Sequence, residues 1–100
     1  MPQVTVFNSQ QQIIDRYIIS DELFNELTRI ASIFELDQIP ISFLEKLQNR
    51  FSTFLSRRVK PENIDSIITQ NYSWYWDLLA LLEYLHRLSS GHLALELTRS

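Results

Sequence analysis

Apolar residues recur with helical spacing along most of this chain, and the pattern predicts a run of amphipathic helices. Ile13, Ile14, Tyr17 and Ile18 fall on one helical face. Asn8 or Ser9 can cap that helix, which spans about residues 9–19; the β-branched isoleucines would equally suit a strand. Leu23, Leu27, Ile30 and Phe34 follow at i, i+4, i+7 and i+11 behind Ser20, with Asp21 and Glu22 in the first turn where the helix dipole favours acids. This second helix stops near Asp37, because Pro40 pushes Ile39 out of helical geometry. Ser42 and Glu45 read as a capping box for a third helix with apolar face Leu44, Leu47, Phe51, Phe54 and Leu55, running to about Arg58. Lys60-Pro61 ends it. A short fourth helix begins at Pro61, buries Ile64, Ile67 and Ile68, and ends at Asn71, a candidate for the left-handed conformation.

The stretch Tyr72–Leu88 is the central helix. It holds both tryptophans and the densest leucine run, capped by Ser73 and stopped before Gly91. On a wheel, Leu88, Leu81, Trp74, Leu85, Leu78, Leu82 and Tyr75 form one continuous apolar arc, the expected core face. The two ends differ. Val4–Phe7 is β-prone behind Pro2 and reads as an extended arm over residues 1–8. Leu93, Leu95 and Leu97 alternate as in a strand, yet the tail's Leu, Ala and Glu favour a helix, the form expected here. A tail strand would pair with Val4–Phe7 as a terminal ribbon, marginal by itself. The expected fold is therefore all-α: a bundle of four to five helices over residues 9–100, with an extended N-terminal arm and at most a short terminal β pair.

Composition narrows the chemistry. A chain of 100 residues with 45% hydrophobic content has material for one core. The lack of cysteine removes disulfides and thiolate sites, and a single glycine removes phosphate-binding glycine loops. The N-terminal stretch lacks the basic start and apolar run of a secretory signal, and acids and bases interrupt the leucine-rich helix below the roughly 20 apolar residues of a membrane span. A cytoplasmic, non-membrane protein is expected.

Net charge is −3, against general affinity for nucleic acid, but the charge is uneven. Residues 46–60 carry Lys46, Arg50, Arg57, Arg58 and Lys60 and no acid; the rest carries four bases against twelve acids. Lys46, Arg50 and Arg57 share a narrow arc of the third helix, opposite its apolar face. The plain reading is a solvated face; the functional one is a docking face for an acidic protein. A nucleic-acid-binding regulator using the basic helix 42–60 is the alternative, weakened because the stripe carries no aromatic for base stacking.

On the central helix, Trp76 projects opposite the core arc among Glu83, Ala80 and Arg87, flanked by Leu79 and Tyr84. Either the arm or the tail covers these three residues, or they bind a partner, in its simplest form a second copy in a symmetric dimer. Asp77, Glu83 and His86 lie near one another along the same helix, but a polar stripe accounts for them better than an acid–base or metal cluster does. His86 and His92 lack the i, i+4 spacing of a helical metal pair. The sequence thus points to a non-enzymatic interaction module or small regulatory adaptor, homodimeric through the aromatic central helix, with no cofactor, no metal and no catalytic residue.

Overall fold

The computed structural model describes residues 1–88 and 92–99. Its architecture is mixed α/β, which corrects the all-α bundle that the apolar periodicity predicted. Strands Pro2–Phe7 (β1), Ile13–Ile18 (β2), Ile39–Pro40 (β3) and Ala94–Arg99 (β4) form an antiparallel sheet in the order β2-β1-β4-β3. Helices Asp21–Ile33 (α1), Ile41–Arg58 (α2), Ile64–Asn71 (α3) and Trp74–Leu88 (α4) complete the fold. One face of the sheet enters the core: Val4, Val6 and Leu95 are fully buried in a cluster with Leu23, Leu27, Leu44, Leu78, Leu81 and Leu85.

The helix expected over residues 9–19 is a turn and a strand. Asn8 does accept backbone amides, from Gln10 and Gln12 at 2.9 Å each, but it uses them to reverse the chain. The Asn8 N–H donates to the Gln12 carbonyl and the Gln11 N–H to the Asn8 carbonyl, both at 3.0 Å, with Gln11 left-handed at φ 63°. This is a hairpin turn closed by a residue in the position glycine usually takes. The isoleucines mimic helical spacing because the β1–β2 register slips between Val6 and Phe7, which pair with Asp15 and Ile13 and leave Ile14 extra. Ile13, Ile14 and Ile18 are exposed and form no core face.

The arm and the tail are the two central strands. β1 pairs with β4 along its whole length, from Pro2 opposite Arg99 to Phe7 opposite Ala94. The tail expected as a helix is therefore a strand from Ala94 to Arg99; pairing and the burial of Leu93 and Leu95 override its intrinsic helix preference. The ribbon is not left alone: β2 and β3 flank it and the helices cover its apolar face.

Helix boundaries follow local hydrogen bonding. Ser20 caps α1, its hydroxyl accepting the Leu23 N–H at 3.1 Å. α1 stops at Ile33, before the expected Asp37, because the chain reverses through Glu35 at φ 53°. The Leu36 N–H donates to Ala31 and the Glu35 N–H to Ser32, the pattern of a Schellman termination. Ser42 does not cap α2. Pro40 occupies that place without a side-chain bond, and the Ile41 N–H donates to the Leu93 carbonyl at 2.9 Å. α2 ends at Arg58 and Pro61 opens a 3₁₀ turn before α3, close to expectation. Asn71 is not left-handed; it is the last residue of α3, and its Nδ2 donates to the Ile67 carbonyl. The expected stop at Gly91 lies outside the described residues. On α4, Tyr75, Leu78, Leu81, Leu82 and Leu85 are buried, as the wheel predicts.

Both sheet edges are blunted. β3 has only two residues, one of them Pro40, which has no amide to offer a neighbouring strand. At the β2 edge, Arg16 donates its N–H to its own neighbour, the Asp15 carboxylate, at 2.8 Å.

Candidate functional site

A surface that departs from an ordinary polar exterior lies between the C-terminal half of α1 and the N-terminal half of α2. Ile30, Ile33 and Phe34 contribute one wall and Phe43 and Leu47 the other, around a groove of about 360 Å³. Ile33 is 61% exposed and Phe34 56% exposed, high for apolar side chains of this size. Phe34 meets Phe43 edge-to-face with centroids 5.2 Å apart, which ties the two helices together across the groove.

Cations rim these walls. Lys46 and Arg50 project from α2 one helical turn apart, and Arg29 from α1. Arg29 is already paired: Glu26 accepts a hydrogen bond from its guanidinium, and that bond, with the charge behind it, raises the Arg29 pKa above its usual value. Among the described residues, Lys46 and Arg50 have no carboxylate within 4 Å. The groove therefore presents apolar surface beside two uncompensated positive charges. It is suited to holding an apolar group with an acid next to it.

The basic stretch expected as one docking face divides in two. Lys46 and Arg50 belong to this groove. Arg58 and Lys60 border a separate, open depression with Val59, Asn63, Ser66 and Ile67, and the Arg58 guanidinium lies 4.7 Å above the Phe54 ring. Arg57 is exposed and lines neither.

Trp76, Leu79 and Tyr84 do not form one free surface. Tyr84 stacks on Tyr17 of β2 with centroids 4.4 Å apart, and its hydroxyl donates to Asp15. Leu79 packs against the core. Trp76 stays 38% exposed, and its indole N–H donates to the Thr69 hydroxyl of α3 at 3.1 Å. Of the three, only Trp76 is exposed; Leu79 and Tyr84 are half-buried. The polar groups of α4 also separate. Asp77 accepts from Ser20, Glu83 pairs with Arg87, and the His86 Nε2 lies 3.5 Å from the Glu45 carboxylate. Among the described residues no three acids or histidines come together to hold a metal ion, and no helix is long and apolar enough to cross a membrane.

Sequence periodicity misses Ile33, Phe34, Phe43 and Arg29 as site residues. Ile33 carried a signal, as an apolar residue outside the Leu23, Leu27, Ile30 stripe. Phe34 carried none, since it continues that stripe and is exposed only because α1 ends beneath it. Compared with protein-family models, with curated proteins and with solved structures, the chain matches none.

Proposed function

We propose that this protein is a non-catalytic interaction module that docks an acidic partner protein on the face formed by α1 and α2. The observation that carries the reading is the exposure of Ile33 and Phe34 beside Lys46 and Arg50, two cations without ion-pair partners among the described residues. Apolar surface removed from water on docking supplies affinity at roughly 25 cal/mol per Å² before the costs of association. The rim cations select acidic partners and speed their encounter. The α1–α2 face is preferred here to the dimer through Trp76 that the sequence suggests, because Tyr84 and Leu79 already have contacts within the fold.

Selection of displayed random peptides against the immobilised protein tests the reading. The expected winners combine acidic residues with Leu, Ile or Phe, and lose binding to Phe34→Asp and to the Lys46→Glu/Arg50→Glu pair. Winners without acidic bias, or winners indifferent to Phe34→Asp, overturn it. Nucleic acid on Lys46, Arg50 and Arg57 would behave differently: its affinity would fall steeply with salt and ignore Phe34.

A further inference from the structure

We infer that the segment held in the α1–α2 groove is an amphipathic α-helix of about two turns with acidic residues at i and i+4; this rests on the docking reading above. The first argument is backbone satisfaction. The walls come from α1 with its C-cap and from α2, and no strand lines the groove, so no sheet edge is offered to an incoming segment. An extended peptide lying there would find no strand edge to pair with, and any amide it turned into the groove would lose its hydrogen bond to water. A helix brings its backbone already paired, the mode in which an amphipathic helix lays its apolar face into an apolar groove.

Spacing gives the second argument. Ile30 and Ile33 stand at i and i+3 on α1 with its C-cap Phe34 one position on, and Phe43 and Leu47 at i and i+4 on α2. Ile30 with Ile33, and Phe43 with Leu47, are therefore spaced as helical ridges, closed at one end by Phe34, and a third helix can seat its own ridge between them. From Phe43 to Arg50 the α2 wall rises about 10 Å, or two turns.

Charge gives the third. Lys46 and Arg50 are four residues apart on one side of the groove, with Cβ atoms about 6 Å apart. Glu residues at i and i+4 of a bound helix repeat that interval. On the opposite rim Arg29 is neutralised by Glu26, so the acids belong on the α2 side of the incoming helix.

Three synthetic peptides test this. The first is a lactam-constrained helix with Leu and Phe at i, i+3, i+4 and i+7 and Glu at i and i+4 on the flank. The second has the same composition with a proline in its middle. The third is the first with both Glu replaced by Gln. Affinities are read by fluorescence polarisation, with circular dichroism to confirm that each protein variant is folded. The constrained helix should bind about tenfold or more tightly than either of the others. It should lose a similar factor on Lys46→Ala/Arg50→Ala, and its binding should be abolished by Phe34→Asp. If the proline peptide binds as tightly and is still abolished by Phe34→Asp, the helical occupant is overturned while the acidic docking site stands. If no peptide binds, and peptide selection yields no acidic winner, both fall.

Discussion

The Ser20 hydroxyl donates to the Asp77 carboxylate at 2.5 Å, joining the cap of α1 to the first turn of α4 across 57 positions of sequence. The same oxygen accepts the Leu23 N–H, so one serine both starts α1 and fixes its start against the central helix. Asp77 also sits where the dipole of α4 favours a negative charge. Asp77→Ala is expected to cost about 1.5–3 kcal/mol, the range for a hydrogen bond to a charged group. Ser20→Ala should cost at least as much, because the cap is lost as well. In a double-mutant cycle by urea denaturation the coupling should exceed about 0.5 kcal/mol. Strict additivity would show that the two groups act independently.

Glu35 closes α1 in the left-handed region at φ 53°. A residue with a Cβ pays about 1–2 kcal/mol there, and glycine pays it only through the freedom of its unfolded chain. Glu35→Gly should therefore raise stability by about 0.5–1 kcal/mol, visible as a higher denaturation midpoint. Glu35→Ala should give no such gain, since alanine keeps the Cβ.

Leu95 is fully buried and stands opposite Val6 in β1 and Ile39 in β3. Leu95→Ala should cost about 2–5 kcal/mol, as for other leucines buried in a close-packed core. Thr98→Ala, exposed on the same strand, should change stability by less than about 0.5 kcal/mol. Equal effects would mean that β4 contributes little to the cooperative core.

Four helices and the possibility of a Val4–Phe7 ribbon with the tail are legible in the sequence; the helix expected over residues 9–19 is a misreading of β2, and the four-stranded sheet is not foreseen. Leu23, Leu27 and Ile30 repeat over a long enough stretch to fix a helical face, and Tyr75, Leu78, Leu81, Leu82 and Leu85 do the same for α4. β2 is an exposed edge with a bulge at Ile14, so its side chains lack the clean alternation that marks a half-buried strand. β4 does alternate, but its identity as a strand depends on β1, more than 80 positions away. The candidate partner Val4–Phe7 is visible, but the helix propensity of Leu, Ala and Glu outweighs the alternation until pairing and burial are known. At the site, the charges of Lys46 and Arg50 were legible. The apolar wall facing them was not, because it depends on where α1 ends.

Ile33 separates binding from folding. It is exposed and lies outside the buried stripe of α1, so Ile33→Ser should alter stability by less than about 0.5 kcal/mol. The same change should weaken acidic peptides obtained by selection, since it removes apolar surface from the groove. A large loss of stability would assign Ile33 to the fold and not to the site.

Asp15 joins two tasks at the β2 edge. One oxygen accepts the Tyr84 hydroxyl, holding β2 to α4; the other accepts the Arg16 N–H, which would otherwise face a neighbouring strand. With Ile14 and Ile18 exposed along that strand, an uncapped edge would be a template for pairing with another molecule. Tyr84→Phe removes only the first bond. It should cost about 0.5–1.5 kcal/mol and leave the protein's solution mass unchanged. Asp15→Ala removes both, and should add concentration-dependent association, detectable by sedimentation, to a similar or larger loss of stability. If Asp15→Ala sediments like the parent protein at every concentration, the bulge at Ile14 and the charge on Arg16 suffice to protect the edge. If Tyr84→Phe associates as well, the protection comes from docking β2 onto α4 and not from the Arg16 amide cap.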